Sequence, residues 1–303
     1  MSAVISPGET ILVTGASGYI GRGLVPLLTT LGYQVRCLSR KPDSTLFSRW
    51  PNVEVVVGDA QDAARIGQTM EGAAAAYYLI HSMGQGESRF ADLDRRAAHI
   101  FADQAGRQGL RRIIYLGGLG EGDAELSRHL ASRQEVGHIL LAGSRGATVL
   151  RAALIIGRGG ASFEMLRALA GRLPLMICPR WVTTRCQPIA LDDMLAYLVG
   201  CLTVPATHGR GFDVGGPEIL TYKQMLKQCA AVQGKHPVLI TVPVLTPRLS
   251  AQWMRLVTPV SAKIAFPLIE GMRNEVICRE HDIRALLPRE LLPFRAAVLK
   301  ALT

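Results

Sequence analysis

Short apolar runs alternate along the first half of the chain with longer stretches whose apolar residues recur at helical spacing. Residues 10–14, 34–38, 53–57, 74–80, 112–116 and 148–156 read as strands, each a short run rich in Val, Ile, Leu, Tyr or Ala. Residues 18–31, 62–70, 88–108 and 125–142 read as the helices between them. Pro26 predicts an irregularity in the first helix. Asp62 sits at the start of the second, where a carboxylate meets the positive end of the dipole. In the third, Phe90, Leu93, Ala97, Ile100 and Phe101 fall near one face. Strands alternating with helices predict an α/β protein, with a doubly wound parallel sheet covered on both faces.

After Gly157 the alternation loosens. Residues 162–171, 191–202 and 221–233 read as helices, the last with Thr221 as its N-cap. Residues 237–267 carry five prolines among long apolar stretches and read as an irregular segment. This divides the chain into a core over 1–157 and a smaller substrate lobe over 158–303 that contributes in part to the same core.

The run Thr14-Gly15-Ala16-Ser17-Gly18-Tyr19-Ile20-Gly21 follows the first strand and opens the first helix. Gly15 permits a sharp turn. Gly18 lets backbone approach a pyrophosphate, and Gly21 lets helix and strand pack closely. The helix N-terminus then offers free N–H groups to an anion. Thr14, Gly15, Ser17, Gly18, Tyr19, Ile20 and Gly21 are therefore candidate ligands of a dinucleotide. An NAD-preferring site carries an acid at the end of the second strand, bonded to the ribose 2′-hydroxyl. Here that position reads Ser39-Arg40-Lys41, a hydroxyl and two cations, with Arg22 just inside the helix. The expected cofactor is NADP(H), with NAD(H) as the alternative. Asp59 and Ala60 follow the third strand beside the expected adenine position. Asp59 equally suits a helix cap.

Net charge is +10, yet the basic residues are scattered and no nucleic-acid-binding signature occurs, so no nucleic-acid partner is expected. The six cysteines are far apart, with no metal-ligand spacing, and read as reduced, mostly buried thiols. No metal site is expected. The first ten residues lack a signal-peptide pattern, and no apolar run reaches about 18 residues, so a cytoplasmic protein is expected. The apolar-basic stretch 245–272 admits peripheral membrane contact or a homo-oligomer face, but reads first as a lobe closing over an apolar substrate.

The segments TGASGYIG, LSR after the second strand, GDA after the third and IIYLGG on the fifth together resemble an atypical short-chain dehydrogenase/reductase, close to NmrA-like and complex-I-subunit-like NAD(P)H-binding proteins. FDVGGPEILTYKQML (212–226) is similar to the C-terminal lobe of extended members. The resemblance implies a Rossmann fold. It also implies a catalytic Tyr four residues before a Lys, with a Ser after the fifth strand. In this chain His129 stands at the Tyr position, Arg133 at the Lys position, and Gly117-Gly118 replaces the Ser. Either His129 is the proton donor with Arg133 on the ribose or phosphate, or this helix carries no chemistry. The end of the fourth strand offers Ile80, His81 and Ser82 to the cofactor, and His81 is a second candidate donor. Tyr77, Tyr78 and Tyr115 read as packing, and Asp192-Asp193 as structural. The leading expectation is an NADPH-dependent reductase of an apolar carbonyl or enone-like compound. The alternatives are a non-catalytic NADP(H) redox sensor for a partner protein and, third, a sugar-nucleotide epimerase or dehydratase.

Overall fold

The computed structural model describes residues 4–41, 44–81, 90–120, 126–144, 146–172, 175–242 and 268–303. Seven parallel strands form the central sheet: β1 (Thr10–Thr14), β2 (Gln34–Ser39), β3 (Val53–Val57), β4 (Ala75–Tyr78), β5 (Arg112–Gly118), β6 (Ala147–Ala152) and β7 (Arg210–Val214). Their order across the sheet is β7-β6-β5-β4-β1-β2-β3. The order reverses between β1 and β4, and in such sheets ligands bind beyond the carboxyl ends of the strands at that crevice. The doubly wound α/β class expected from the alternation is the class observed.

The inner strands are continuous apolar runs because both faces are covered: every residue of β4 and β5 is buried. On one face the helix Tyr19–Thr30 buries Gly21, Leu24, Val25 and Leu28, a spacing of one helical stripe. The helix Leu191–Gly200 covers the same face, with Leu195 and Leu198 in the same cluster. There the buried Tyr77 hydroxyl donates to Leu198 O at 2.9 Å. Helices Phe90–Arg107 and Arg128–Gly143 cover the other face, where Phe101 and Tyr115 stand edge-on to Tyr78 at 4.8 and 5.8 Å. The tyrosines of β4 and β5 are packing residues, as their alternation suggests.

Two differences from the sequence reading matter. The run 148–156 is not one strand. β6 ends at Ala152, and Ile155–Ile156 pairs separately with Ile189–Ala190. The second is β7, a strand the sequence does not mark, which pairs with β6 at the sheet edge, Phe212 opposite Leu150.

The remaining C-terminal residues build a lobe with its own apolar cluster. Helices Ala161–Arg172, Tyr222–Val232 and Phe294–Leu302 supply it, with the parallel strands Leu175–Pro179 and Val238–Val242. Thr221 caps Tyr222–Val232 through a reciprocal bond with Gln224. Asp192 and Asp193 diverge, as adjacent helical residues do. Asp193 is buried and accepts from Leu292 N and Arg289, whereas Asp192 pairs at the surface with Lys300. All six cysteines are free thiols and five are buried. No described helix is long and apolar enough to cross a membrane.

Candidate active site

An open cleft of about 430 Å³ lies at the carboxyl ends of β1, β4 and β5, walled on the far side by the lobe. Gly15, Gly18, Tyr19, Ile20 and Gly21 form one end. Gly15 has φ +71°, and a Cβ there would stand 2.6 Å from the backbone oxygen of Leu79. A Cβ on Gly21 would stand 2.5 Å from Gly15 O and 2.6 Å from Ala16 Cα. Both glycines therefore let backbone meet backbone, Gly15 against the end of β4 and Gly21 against its own turn. Gly18 caps the helix with no side-chain bond, and the first turn holds no acid. A dinucleotide pyrophosphate fits this cradle, since its charge meets the positive end of a helix with no competing carboxylate.

Thr14 is fully buried. Its hydroxyl donates to Tyr77 O at 2.9 Å and accepts from Leu79 N at 3.3 Å, tying β1 to β4 beneath the cradle. Tyr19 lies against Gly157 and Gly160, where added Cβ atoms would strike its ring and hydroxyl. That hydroxyl is buried without a hydrogen-bond partner among the described residues. Burial, Asp192 and Glu164 all push its pKa up. Ser17 is exposed, and its carbonyl accepts from Arg22 Nε at 2.8 Å.

At the end of β2, Arg40 and Lys41 are exposed, and Ser39 Oγ donates to Lys41 O at 2.9 Å. Arg36 is committed elsewhere. It bonds Glu54 at 2.6 Å and the carbonyls of Thr69 and Glu71. Asp59 is exposed and accepts from Gln61 N at 2.9 Å, while Ala60 is buried. The helix cap there is Asp62, which accepts from Arg65 N.

The other end of the cleft gathers His81, His129 and Arg133 from two separate elements. Arg133 lies across the end of β5. Its guanidinium donates to Leu116 O and sits 5.8 Å from the centre of the Tyr115 ring, whose hydroxyl donates to Arg133 O at 3.0 Å. Gly118 leaves the room for this. A Cβ there would stand 2.9 Å from Leu130 and 3.5 Å from Arg133 Cδ. The position of the expected family Ser is thus filled by the arginine side chain. Desolvation and the Arg133 cation lower the imidazole pKa values, to about 4 at His81 and about 3 at His129. His81 sits at the mouth of the cleft, where desolvation lowers its pKa most and Arg133 adds to the shift. Both rings are neutral at neutral pH. Ile80 is half-buried against the sheet core, and Ser82 lies outside the described residues.

The lobe adds residues that the motifs did not indicate. Tyr222, Leu268, Gly271, Met272 and Val276 line the cleft opposite the sheet. Leu268, Gly271 and Met272 belong to the stretch 245–272 that reads as a lobe closing over an apolar substrate, whereas nothing in the sequence singles out Tyr222 or Val276. No carboxylate is among the described lining residues.

A family model described as NAD(P)H-binding matches residues 15–155. The chain is 28% identical over 237 residues to ceramide reductase of Caulobacter vibrioides, covering 77% of this chain and 73% of that protein. It is 28% identical over 233 residues to (4-alkanoyl-5-oxo-2,5-dihydrofuran-3-yl)methyl phosphate reductase of Streptomyces griseus, covering 74% of each. Among solved structures, a nucleoside-diphosphate-sugar epimerase from Staphylococcus aureus superposes with a TM-score of 0.74 over 96% of this chain and 100% of that one. At 15% identity that likeness concerns the fold.

Proposed function

We propose that this chain, which is similar to NAD(P)H-binding proteins of the atypical short-chain dehydrogenase/reductase kind, is an NADPH-dependent reductase of an apolar carbonyl or enone-like compound. The observation that carries this reading is the continuity of the cleft. It runs from the glycine cradle, past two neutral imidazoles and one fixed cation, to a wall of Leu154, Ile155, Leu268, Met272 and Val276. An apolar wall with a few converging polar groups suits a small, largely hydrophobic substrate. Two relatives are named as reductases, one of them of ceramide, which supports an apolar substrate.

A bound reduced nicotinamide would supply the hydride. The chain's own residues supply the rest. Each neutral imidazole offers one N–H to the substrate oxygen, and Arg133 stabilises negative charge as it develops there. No carboxylate is among the described lining residues, which favours that charge. His81, the exposed member, draws the replacement proton from solvent. The cofactor preference follows from the end of β2. Arg40 and Lys41 face solvent where a 2′-phosphate would lie, and β2 ends without an acid.

The test is NADPH consumption against a panel of aldehydes, ketones and enones, with His81→Asn, His129→Asn and Arg133→Met. A wild-type turnover that falls about a hundredfold in kcat/KM in at least one of these variants is expected, with NADPH still bound. NADPH binding without turnover on any of the panel would overturn the reductase reading in favour of a sensor.

A further inference from the structure

The outer side of the C-terminal lobe carries an apolar face that the cleft does not use. Strands Leu175–Pro179 and Val238–Val242 pair in parallel, Leu175 opposite Val238 and Ile177 opposite Ile240. Side chains of a strand alternate between faces. Met176, Cys178 and Leu239 turn inward to the lobe core. Leu175, Ile177, Val238 and Ile240 turn outward and are 53%, 56%, 58% and 48% exposed. A sheet with one solvated face normally alternates apolar with polar. Here both faces are apolar. Of the eight large exposed hydrophobics among the described residues, four sit together on this one patch. A cluster of that kind marks a contact surface, whereas scattered ones do not.

The charge around it is mostly positive. The two stretches that build this layer, 161–186 and 222–242, contain seven Arg and Lys and one acid, Glu164, which pairs with Arg167, while Arg185 pairs with Glu275. Because the strands are parallel, their N-terminal ends lie together, with Lys235 just before the second. Arg180 follows the first strand at its other end. Both are exposed. The apolar face is therefore flanked by cations at both ends. A second copy of the chain docked here would bring like charges together, which disfavours self-association. An apolar face with a cationic rim fits the headgroup boundary of an anionic bilayer, where aliphatic burial and electrostatic attraction add. The helices Ala161–Arg172 and Tyr222–Val232, which back this sheet, also supply Ala161, Ser162 and Tyr222 to the cleft. Docking on this face would hold one wall of the cleft at the lipid surface.

We infer that the face formed by Leu175, Ile177, Val238 and Ile240 is a peripheral docking surface for an anionic lipid bilayer. The experiment is flotation of the full chain with phosphatidylcholine vesicles, with and without about a third phosphatidylglycerol, at low and high salt. Two double variants accompany it: Ile177→Thr/Ile240→Thr, which keeps strand propensity, and Arg180→Gln/Lys235→Gln, which leaves the apolar face intact. Thermal unfolding and NADPH affinity report whether each is folded. The expected result is salt-sensitive binding to the anionic vesicles only, weakened about tenfold or more in both variants. Three results would overturn the inference. One is no wild-type binding at low salt, and another is unchanged binding in both folded variants. The third is a concentration-dependent dimer in sedimentation that Ile177→Thr/Ile240→Thr dissolves, which would assign the face to a second copy. If the threonine variant does not fold, unchanged binding by Arg180→Gln/Lys235→Gln is by itself contradictory.

Discussion

Replacing Gly15 by Ala isolates the cradle. Gly15 has φ +71°, a region that costs an L-residue about 1–2 kcal/mol. The added methyl would also stand 2.6 Å from Leu79 O and 2.9 Å from Leu79 C, both backbone atoms at the end of β4 that no side-chain rotation can move. Overpacking of this kind costs about 1–3 kcal/mol. The loop relieves the conflict by moving off β4, so most of the cost appears as lost cofactor affinity. At about 1.4 kcal/mol per tenfold, a 30-fold or greater rise in the NADPH Kd is expected. Gly72→Ala is the matched control. Gly72 also has φ +71°, but a Cβ there meets nothing within 4 Å. It lies at the far end of the helix Ala63–Met70, away from the cleft. That variant should lose about 1 kcal/mol of stability and no NADPH affinity. Fluorescence titration with NADPH and thermal unfolding of both variants provide the readout. A folded Gly15→Ala protein whose NADPH Kd stays within about threefold of wild type would refute the reasoning.

Protonation and core chemistry give two more expectations. His129 and His81 are held neutral in the folded chain, with pKa values near 3 and 4, whereas unfolded imidazoles protonate near 6.5. The unfolded state then binds more protons below about pH 6.5, so this contribution to stability is intact above that pH and is lost progressively towards pH 4. His129→Asn should flatten the fall of Tm between pH 7 and pH 5, and an unchanged slope would count against the assignment. Arg112 is fully buried and donates to Thr148 at 3.2 Å, Thr207 at 2.6 Å and the Cys201 carbonyl. Arg112→Ala leaves those acceptors unmet around a cavity and should cost about 3 kcal/mol or more by urea unfolding, with NADPH affinity retained in the folded fraction. A loss below about 1 kcal/mol would mean the network is not structural.

The parts of the fold that were legible are those where one local signal sufficed. β1, β4 and β5 are buried on both faces, so each is an unbroken apolar run, and the helix Tyr19–Thr30 shows its stripe directly. β7 was not legible. RGFDV offers only Phe212 and Val214 as apolar positions, with the buried Asp213 between them, too short a pattern to separate from a turn. The run 148–156 misled for the opposite reason. It is apolar but for Thr148 and Arg151, and hydropathy does not reveal that Ile155–Ile156 leaves β6 to pair with Ile189–Ala190. The cradle was legible because its glycines are contiguous in sequence. The meaning of Gly118 was not. Its missing Cβ makes room for Arg133, fifteen residues on, which is apparent only when helix Arg128–Gly143 is laid against β5. Val276 reaches the cleft by tertiary packing alone.

The central claim is that this cleft holds NADPH, with the basic turn after β2 reading the 2′-phosphate. Paired calorimetric titration of the wild-type chain and Arg40→Ala with NADPH and NADH tests it most directly. A charge-assisted bond contributes about 1.5–3 kcal/mol, so NADPH should bind wild type at least tenfold more tightly than NADH, and Arg40→Ala should remove most of that difference. Equal affinities, tighter binding of NADH, or no binding of either would contradict the account.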